Sequence, residues 1–334
     1  MKTNQLKFGF LLFLAIFLGL SSAIYFTINS ASEKYFIEQM LHREQVIARS
    51  GAANIKSFVS LSATSLNTLS QNSDIIVPSS NTQIVLDNLV DTWKNTPLSL
   101  IARIDMQGNV VAAASNQDQI TNFEAKASGR EYFENGIKLK RGEYYIGNPI
   151  IPLLSGLQKK YLVPITVPVL DSHDQVVGLV VATFYISDIV NNYLLPLRIS
   201  DSTDIIILDQ QGVMISSLYQ HLVGQNIFEF FQNNPFIGDR IIVPQIKNFL
   251  TINQEHKYDI VFPDMADLTL GRRLIATSPM ILGNSQIWHL IIVTPVHDAL
   301  VFVAPLVVQK ITGIIFIYFA TSILIIFFVK KLIK

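Results

Sequence analysis

The sequence contains no cysteine. Disulfide staples, thiolate metal sites and cysteine nucleophiles are therefore excluded, and any part outside the cytoplasm must hold by its core alone. Charge is also sparse: 25 basic and 25 acidic residues in 334 cancel to a formal net charge of zero. With no basic stripe either, nothing favours a nucleic-acid partner. The six histidines, His42, His173, His221, His256, His289 and His297, form neither His-x-x-x-His nor His-Glu-x-x-His, so zinc-peptidase chemistry has no support. A Gly-x-Ser-x-Gly elbow, a Walker A loop and a dinucleotide fingerprint are all missing, and Ser155-Gly156 has no base nearby in sequence. We therefore expect no catalytic residue, no metal ligand and no cofactor.

What is plentiful is apolar surface. Half of the residues are hydrophobic and the mean hydropathy is +0.38, with the excess concentrated at the two ends. No charge occurs between Phe8 and Ser32, and an apolar run of about 20 residues is enough to span a bilayer. Lys2 and Lys7 precede this run and place the N-terminus in the cytoplasm. A cleaved signal peptide is the alternative, with Leu20-Ser21-Ser22-Ala23 as its site; the apolar run continues past it. A second uncharged run, Ile311 to Val329, is opened by Lys310 and closed by Lys330, Lys331 and Lys334. These spacings predict two transmembrane helices, residues 8–29 and 304–329, with short cytoplasmic ends at 1–7 and 330–334. The chain between them lies outside the cell membrane.

From Ile28 to Leu69 there is no proline and one glycine, Gly51. Ala48, Ala52, Ile55, Val59, Ser62, Leu66 and Leu69 recur at alternating steps of four and three, a heptad seam. The seam predicts a stalk helix over residues 30–72. It serves either a homodimer or packing on the chain's own domain. Glu33, Lys34, Glu38, Arg43, Glu44 and Lys56 fall off it.

Strand patterns follow a short helix at Ile84 to Trp93. Ser99 to Ile104, the turn Asp105-Met106-Gln107-Gly108, then Val110 to Ala113 reads as a hairpin. A second pair is Tyr161–Val169 with Val176–Phe184. The pattern then repeats about 104 residues later: Ile205-Ile206-Ile207-Leu208-Asp209-Gln210-Gln211-Gly212 echoes the first hairpin. Leu274–Met280 and Ile287–Thr294 echo the second, with Asn284 in the turn. Two β-rich modules in tandem are expected, at 73–185 and 201–303, joined by a helix at 186–200. Asp105 and Asp209 read as turn formers, and Trp93 and Trp288 as packing residues.

Taken in order, these elements resemble the double Cache sensor region of bacterial chemoreceptors, histidine kinases and diguanylate cyclases. The most specific stretches are Ser128-Gly129-Arg130-Glu131-Tyr132-Phe133, Gly142-Glu143-Tyr144-Tyr145-Ile146-Gly147-Asn148-Pro149 and the closing Trp288-His289-Leu290-Ile291-Ile292-Val293-Thr294-Pro295. The resemblance implies an α+β fold, a long N-terminal helix followed by two PAS-like modules. It also implies a small-molecule ligand in the membrane-distal module, with Arg130, Tyr132, Phe133, Tyr144, Tyr145 and Thr183 around it. In amino-acid-sensing members an arginine matching Arg130 takes the ligand carboxylate, chemistry suited to a planar guanidinium fork. The sequence departs from that subtype where carboxylates would hold the ligand amine: Gly147 and Thr183 stand there. A carboxylate or other small polar metabolite is therefore expected rather than an α-amino acid. The resemblance further implies a homodimer in the inner membrane, both termini cytoplasmic, no enzymatic activity, and output through a signalling partner or an effector domain after Lys334. Two other classes remain: an envelope hydrolase, which needs convergent catalytic groups, and an assembly protein without a ligand.

Overall fold

The computed structural model describes residues 2–116, 126–152, 160–233, 239–251, 254–263, 269–283 and 286–301, with 312–315, 318, 319, 321–323, 326, 329 and 330. The chain divides into two compact units, Arg43–Thr294 and the pair of segments Met1–His42 and Pro295–Lys334. In the smaller unit the rings of Phe17 and Tyr318 meet edge to face at 6.0 Å. Among the described residues no helix is long and apolar enough to cross a membrane. The expected second span, 304–329, lies largely outside the described residues, as does Asn284.

A single helix, α1 (Lys2–Leu69), carries both the first apolar run and the stalk. After α2 (Ser73–Ile76) and α3 (Asn81–Thr92) come β1 (Leu98–Ile104), β2 (Val110–Ser115), α4 (Glu131–Gly136), β3 (Tyr145–Ile146), β4 (Leu162–Leu170) and β5 (Val176–Tyr185). These strands form an antiparallel sheet in the order β2-β1-β5-β4-β3. After a connector the plan recurs: β6 (Asp204–Asp209), β7 (Met214–Ser216), α6 (Ile227–Gln232), α7 (Asp239–Thr251), β8 (His256–Pro263), β9 (Leu270–Leu282) and β10 (Gln286–Pro295). Its sheet order, β7-β6-β10-β9-β8, is the first order repeated.

The repeat extends to single atoms. In the first hairpin Asp105 Oδ1 accepts from the N–H groups of Gln107 (2.9 Å) and Asn109 (2.8 Å). In the second, Asp209 Oδ1 accepts from Gln211 (2.9 Å) and Val213 (2.7 Å). Both aspartates thus form turns, satisfying backbone donors that a tight reversal leaves unpaired. Trp288 is buried and Trp93 lies against Phe184, as packing residues.

The core explains the seam. Ala52, Ile55, Val59, Leu66 and Leu69 are buried in one cluster with Val163, Ile165, Val180, Ala182 and Phe184 of the first sheet and Ile205, Ile207 and Leu290 of the second. The seam thus packs on the chain's own two sheets. Gly51 makes the approach possible: a Cβ there would stand 2.7 Å from Leu290 Cδ2.

Two features depart from the sequence reading, and the burial of a third residue lay beyond it. Glu44, placed off the seam, is fully buried, because a face wide enough to cover two sheets exceeds a narrow heptad stripe. The connector expected as one helix is instead an α turn, α5 (Ile186–Ile189), a π-helical turn Val190–Leu194 and a 3-10 turn Leu195–Leu197. Pro196 has no N–H to extend the helical ladder. Arg103, which the pattern left inside a strand, is buried at 2% exposure. Its guanidinium donates to the carbonyls of Ile75, Val177 and Ile104. It thereby ties α2 to the mouth of the β4–β5 hairpin.

Candidate functional site

Alternation along the strands gives the first sheet two faces. Val180, Ala182 and Phe184 of β5 turn towards α1. Leu179 and Val181 turn the other way, into a cluster with Leu100, Ala102, Ile104, Tyr132 and Phe133. Thr183 continues that second face by the same alternation. Thr166 of β4 pairs with Val181, and Pro164 with Thr183, so the two threonines are diagonal neighbours there.

Helix α4 lies over this face. Its approach requires Gly136: a Cβ would come within 2.6 Å of Thr166 Cγ2 and 2.8 Å of Leu179 Cδ1. Tyr132 and Phe133, at 6% and 4% exposure, turn in against the sheet. Arg130 is half-buried at the N-cap of α4 and makes no ion pair among the described residues. Burial pushes the Tyr132 pKa up, and the Arg130 cation opposes the shift, so the two groups share one electrostatic neighbourhood. Tyr145, in β3, donates its hydroxyl to Glu131. Burial first, then the Glu131 carboxylate, drive its pKa upwards and keep the phenol protonated.

Two hydroxyls on this face are exceptional. Thr166 Oγ1 and Thr183 Oγ1 are buried with no hydrogen-bond partner among the described residues. Most buried polar atoms in folded proteins have a partner, because burying a lone hydroxyl costs on the order of 1–3 kcal/mol. Both are available to a polar group entering beneath α4.

Of the six residues singled out from the sequence, the structure thus gathers Arg130, Tyr132, Phe133, Tyr145 and Thr183 around α4 and the face beneath it. Tyr144 goes elsewhere. Its hydroxyl accepts from the Gly283 N–H at 2.8 Å, in the β9–β10 turn of the second module, and its ring packs on the α1-side core. Sequence reasoning passed over Thr166, since a threonine in a strand is ordinary; only the pairing register puts it beside Thr183.

Other buried titratable groups lie away from this face, Glu44 on α1 against β10 and His289 in β10 itself. Burial raises the Glu44 pKa to about 8, with the Thr294 hydroxyl offsetting part of the shift. Burial lowers His289 to about 4, with the Leu250 carbonyl working in the opposite direction. Among the described residues no cluster of three or more His, Cys, Asp or Glu could hold a metal ion. Two cavities also open away from α4. One lies between the modules, beside α5 and the π-helical turn. The other lies at the far end of α1, beside Arg141 and Asp171.

Known proteins fit this architecture. No curated protein matches the sequence. Several solved structures do. The periplasmic sensory domain of the Campylobacter jejuni chemoreceptor Tlp1 is 17% identical, with a TM-score of 0.52 over 80% of this chain and 93% of that one. The ligand-binding domain of the Pseudomonas fluorescens chemoreceptor CtaA, in complex with L-isoleucine, is 14% identical, with a TM-score of 0.59 over 81% and 98%. The ligand-binding domain of the Pseudomonas aeruginosa amino acid chemoreceptor PctB, in complex with L-Gln, is 13% identical, with a TM-score of 0.56 over 80% and 96%. At such identities the likeness is one of fold. A family model described as the Cache domain matches residues 28–301, which is most of the chain, and the protein therefore belongs to the Cache-domain family of sensor regions.

Proposed function

We propose that the chain is the extracytoplasmic sensor of a transmembrane signalling system, with its ligand bound beneath α4 on the outer face of the first sheet. The observation that carries this reading is the pair of buried, unpartnered hydroxyls, Thr166 and Thr183, on that face. A small carboxylate fits the donors: Arg130 at the N-cap of α4 supplies a permanent cation, and Tyr132 and Phe133 supply apolar walls. The CtaA and PctB structures hold amino acids. Here Gly147 and Thr183 stand at the positions where amino-acid-sensing relatives carry carboxylates for the ligand amine, which favours a ligand without an amine.

The wider arrangement follows from the apolar runs. Residues 8–29 and 304–329 span the inner membrane, both ends are cytoplasmic, and the two modules are periplasmic. The first module, 73–185, is membrane-distal and the second, 201–303, membrane-proximal. The chain works as a homodimer and catalyses no reaction. A ligand biases two states of the distal module through its different affinity for each. The bias reaches the second membrane helix as a displacement of about 1–2 Å, and a partner or a following domain reads it.

The test is a thermal-shift screen of the full chain in detergent against carboxylates, α-amino acids, amines and sugars. At a hundred times its Kd, a ligand should add about 2.7 kcal/mol. A carboxylate should raise the Tm, and Arg130→Ala and Thr183→Val should each abolish the shift. A shift caused only by α-amino acids would overturn the ligand class, and a carboxylate shift that survives both substitutions would overturn the site.

A further inference from the structure

The cavity between the modules has a volume of about 140 Å³. A protein cavity of about 150 Å³ takes a molecule the size of benzene, so this one takes up to about six heavy atoms. Its floor is apolar, from Ile186, Val190 and Val223, all buried. Its polar residues are Lys160, Tyr161, Ser187, Asn191 and Ser217, of which Ser187 donates its hydroxyl to Asp188 at 3.1 Å, and Lys160 is the single charged residue among the described residues that line it. The Lys160 ammonium stands 5.5 Å from the Tyr185 ring centroid, a cation–π contact that steadies it without neutralising its charge.

A second observation concerns the wall. Val190 and Asn191 open the π-helical turn Val190–Leu194. Such turns are rare and are frequently found at functional sites, where the widened turn re-aims the side chains it carries. Here it sits where the chain leaves the first module. Lys160, Val190 and Asn191 come from the first module and its connector, whereas Ser217 and Val223 come from the second.

We propose that this cavity is a second ligand site, for a short-chain monocarboxylate such as propionate, distinct from the site beneath α4. One cation with nearby amide and hydroxyl donors suits a carboxylate head, and the apolar floor suits an alkyl tail of two or three carbons. Inorganic phosphate would leave that floor unmatched. A ligand seated there touches both modules, so its binding is coupled to how the connector sets one against the other. The proposal does not rest on the ligand assigned to the α4 face.

The experiment is isothermal titration calorimetry of the full chain in lipid nanodiscs, with sodium formate, acetate, propionate and phosphate as probes. Propionate should bind saturably, with affinity rising about fourfold per methylene from acetate to propionate, and phosphate should not bind. Lys160→Met keeps the aliphatic stem, removes the charge at an exposed position, and should weaken propionate at least tenfold. Lys94→Met, an exposed position outside both sites, should leave propionate affinity within twofold. The proposal falls if propionate does not bind, if phosphate binds as tightly, or if Lys160→Met binds it within twofold of the parent. It also falls if Arg130→Ala alone abolishes binding; that result would move the carboxylate to the α4 face and leave the reading of that face standing.

Discussion

Glu44 and His289 are both fully buried, yet burial moves them in opposite directions, because each resists its own charged form. The Glu44 pKa is raised to about 8. Its stabilising contribution is therefore complete below about pH 4.5, the unfolded value, and is lost as pH rises towards 8. The His289 pKa is lowered to about 4. Its contribution is complete above about pH 6.5, the unfolded value, and is lost as pH falls towards 4. The two windows overlap, so stability should vary little across mildly acidic pH and fall on either side. Glu44→Gln removes the alkaline loss while keeping the volume. Chemical denaturation at pH 5 and pH 8.5 should show the parent losing on the order of 4 kcal/mol through this group, and the variant losing much less. An equal loss in both proteins would mean that Glu44 is ionised in the fold without penalty.

At the scale of elements, α1 and the two sheets depend on one close approach. Gly51 brings α1 against Leu290 of β10, with Leu194 of the π-helical turn also nearby. A β-branched residue there must push Leu290 or the helix aside. Gly51→Val should destabilise the fold by about 1–3 kcal/mol, as overpacking does, whereas Ser57→Val, at an exposed position of the same helix, should change stability by less than about 0.5 kcal/mol. Urea unfolding of the two variants measures the contrast. Similar midpoints would mean that the contact between α1 and β10 yields freely.

For the whole molecule, the decisive question is sidedness. The absence of cysteine makes the protein a clean host for single-cysteine labelling. Lys94→Cys, exposed beyond α3, should react with a membrane-impermeant maleimide once the outer membrane is permeabilised. Lys331→Cys should react only after the inner membrane is lysed. Reaction of both under the first condition would place the C-terminus outside, against the lysine bias around the second apolar run.

Much of the fold was legible before any coordinates. Two hairpins recurring about 104 residues apart predicted two like modules, because period-two alternation and Asp-led turns are local, and local chemistry is written residue by residue. The seam on α1 was legible for the same reason, but not its partner: a stripe of apolar residues is the same whether it meets a second chain or its own sheets. The candidate site was half legible. Arg130, Tyr132 and Phe133 stand together in sequence because one short helix carries them. Thr166 and Thr183 meet only through strand register, and Tyr144 left the group because the β9–β10 turn of the other module reaches its hydroxyl. Glu44 read as a helix charge off the seam, yet it is buried where α1 meets the second sheet. The sequence by itself determined the elements, their repetition and the apolar ends, all of which follow from neighbours along the chain. Tertiary structure alone decided which polar groups lose water, and hence the hydroxyls beneath α4, the buried carboxyl and the cavity between the modules, because burial depends on residues distant in sequence.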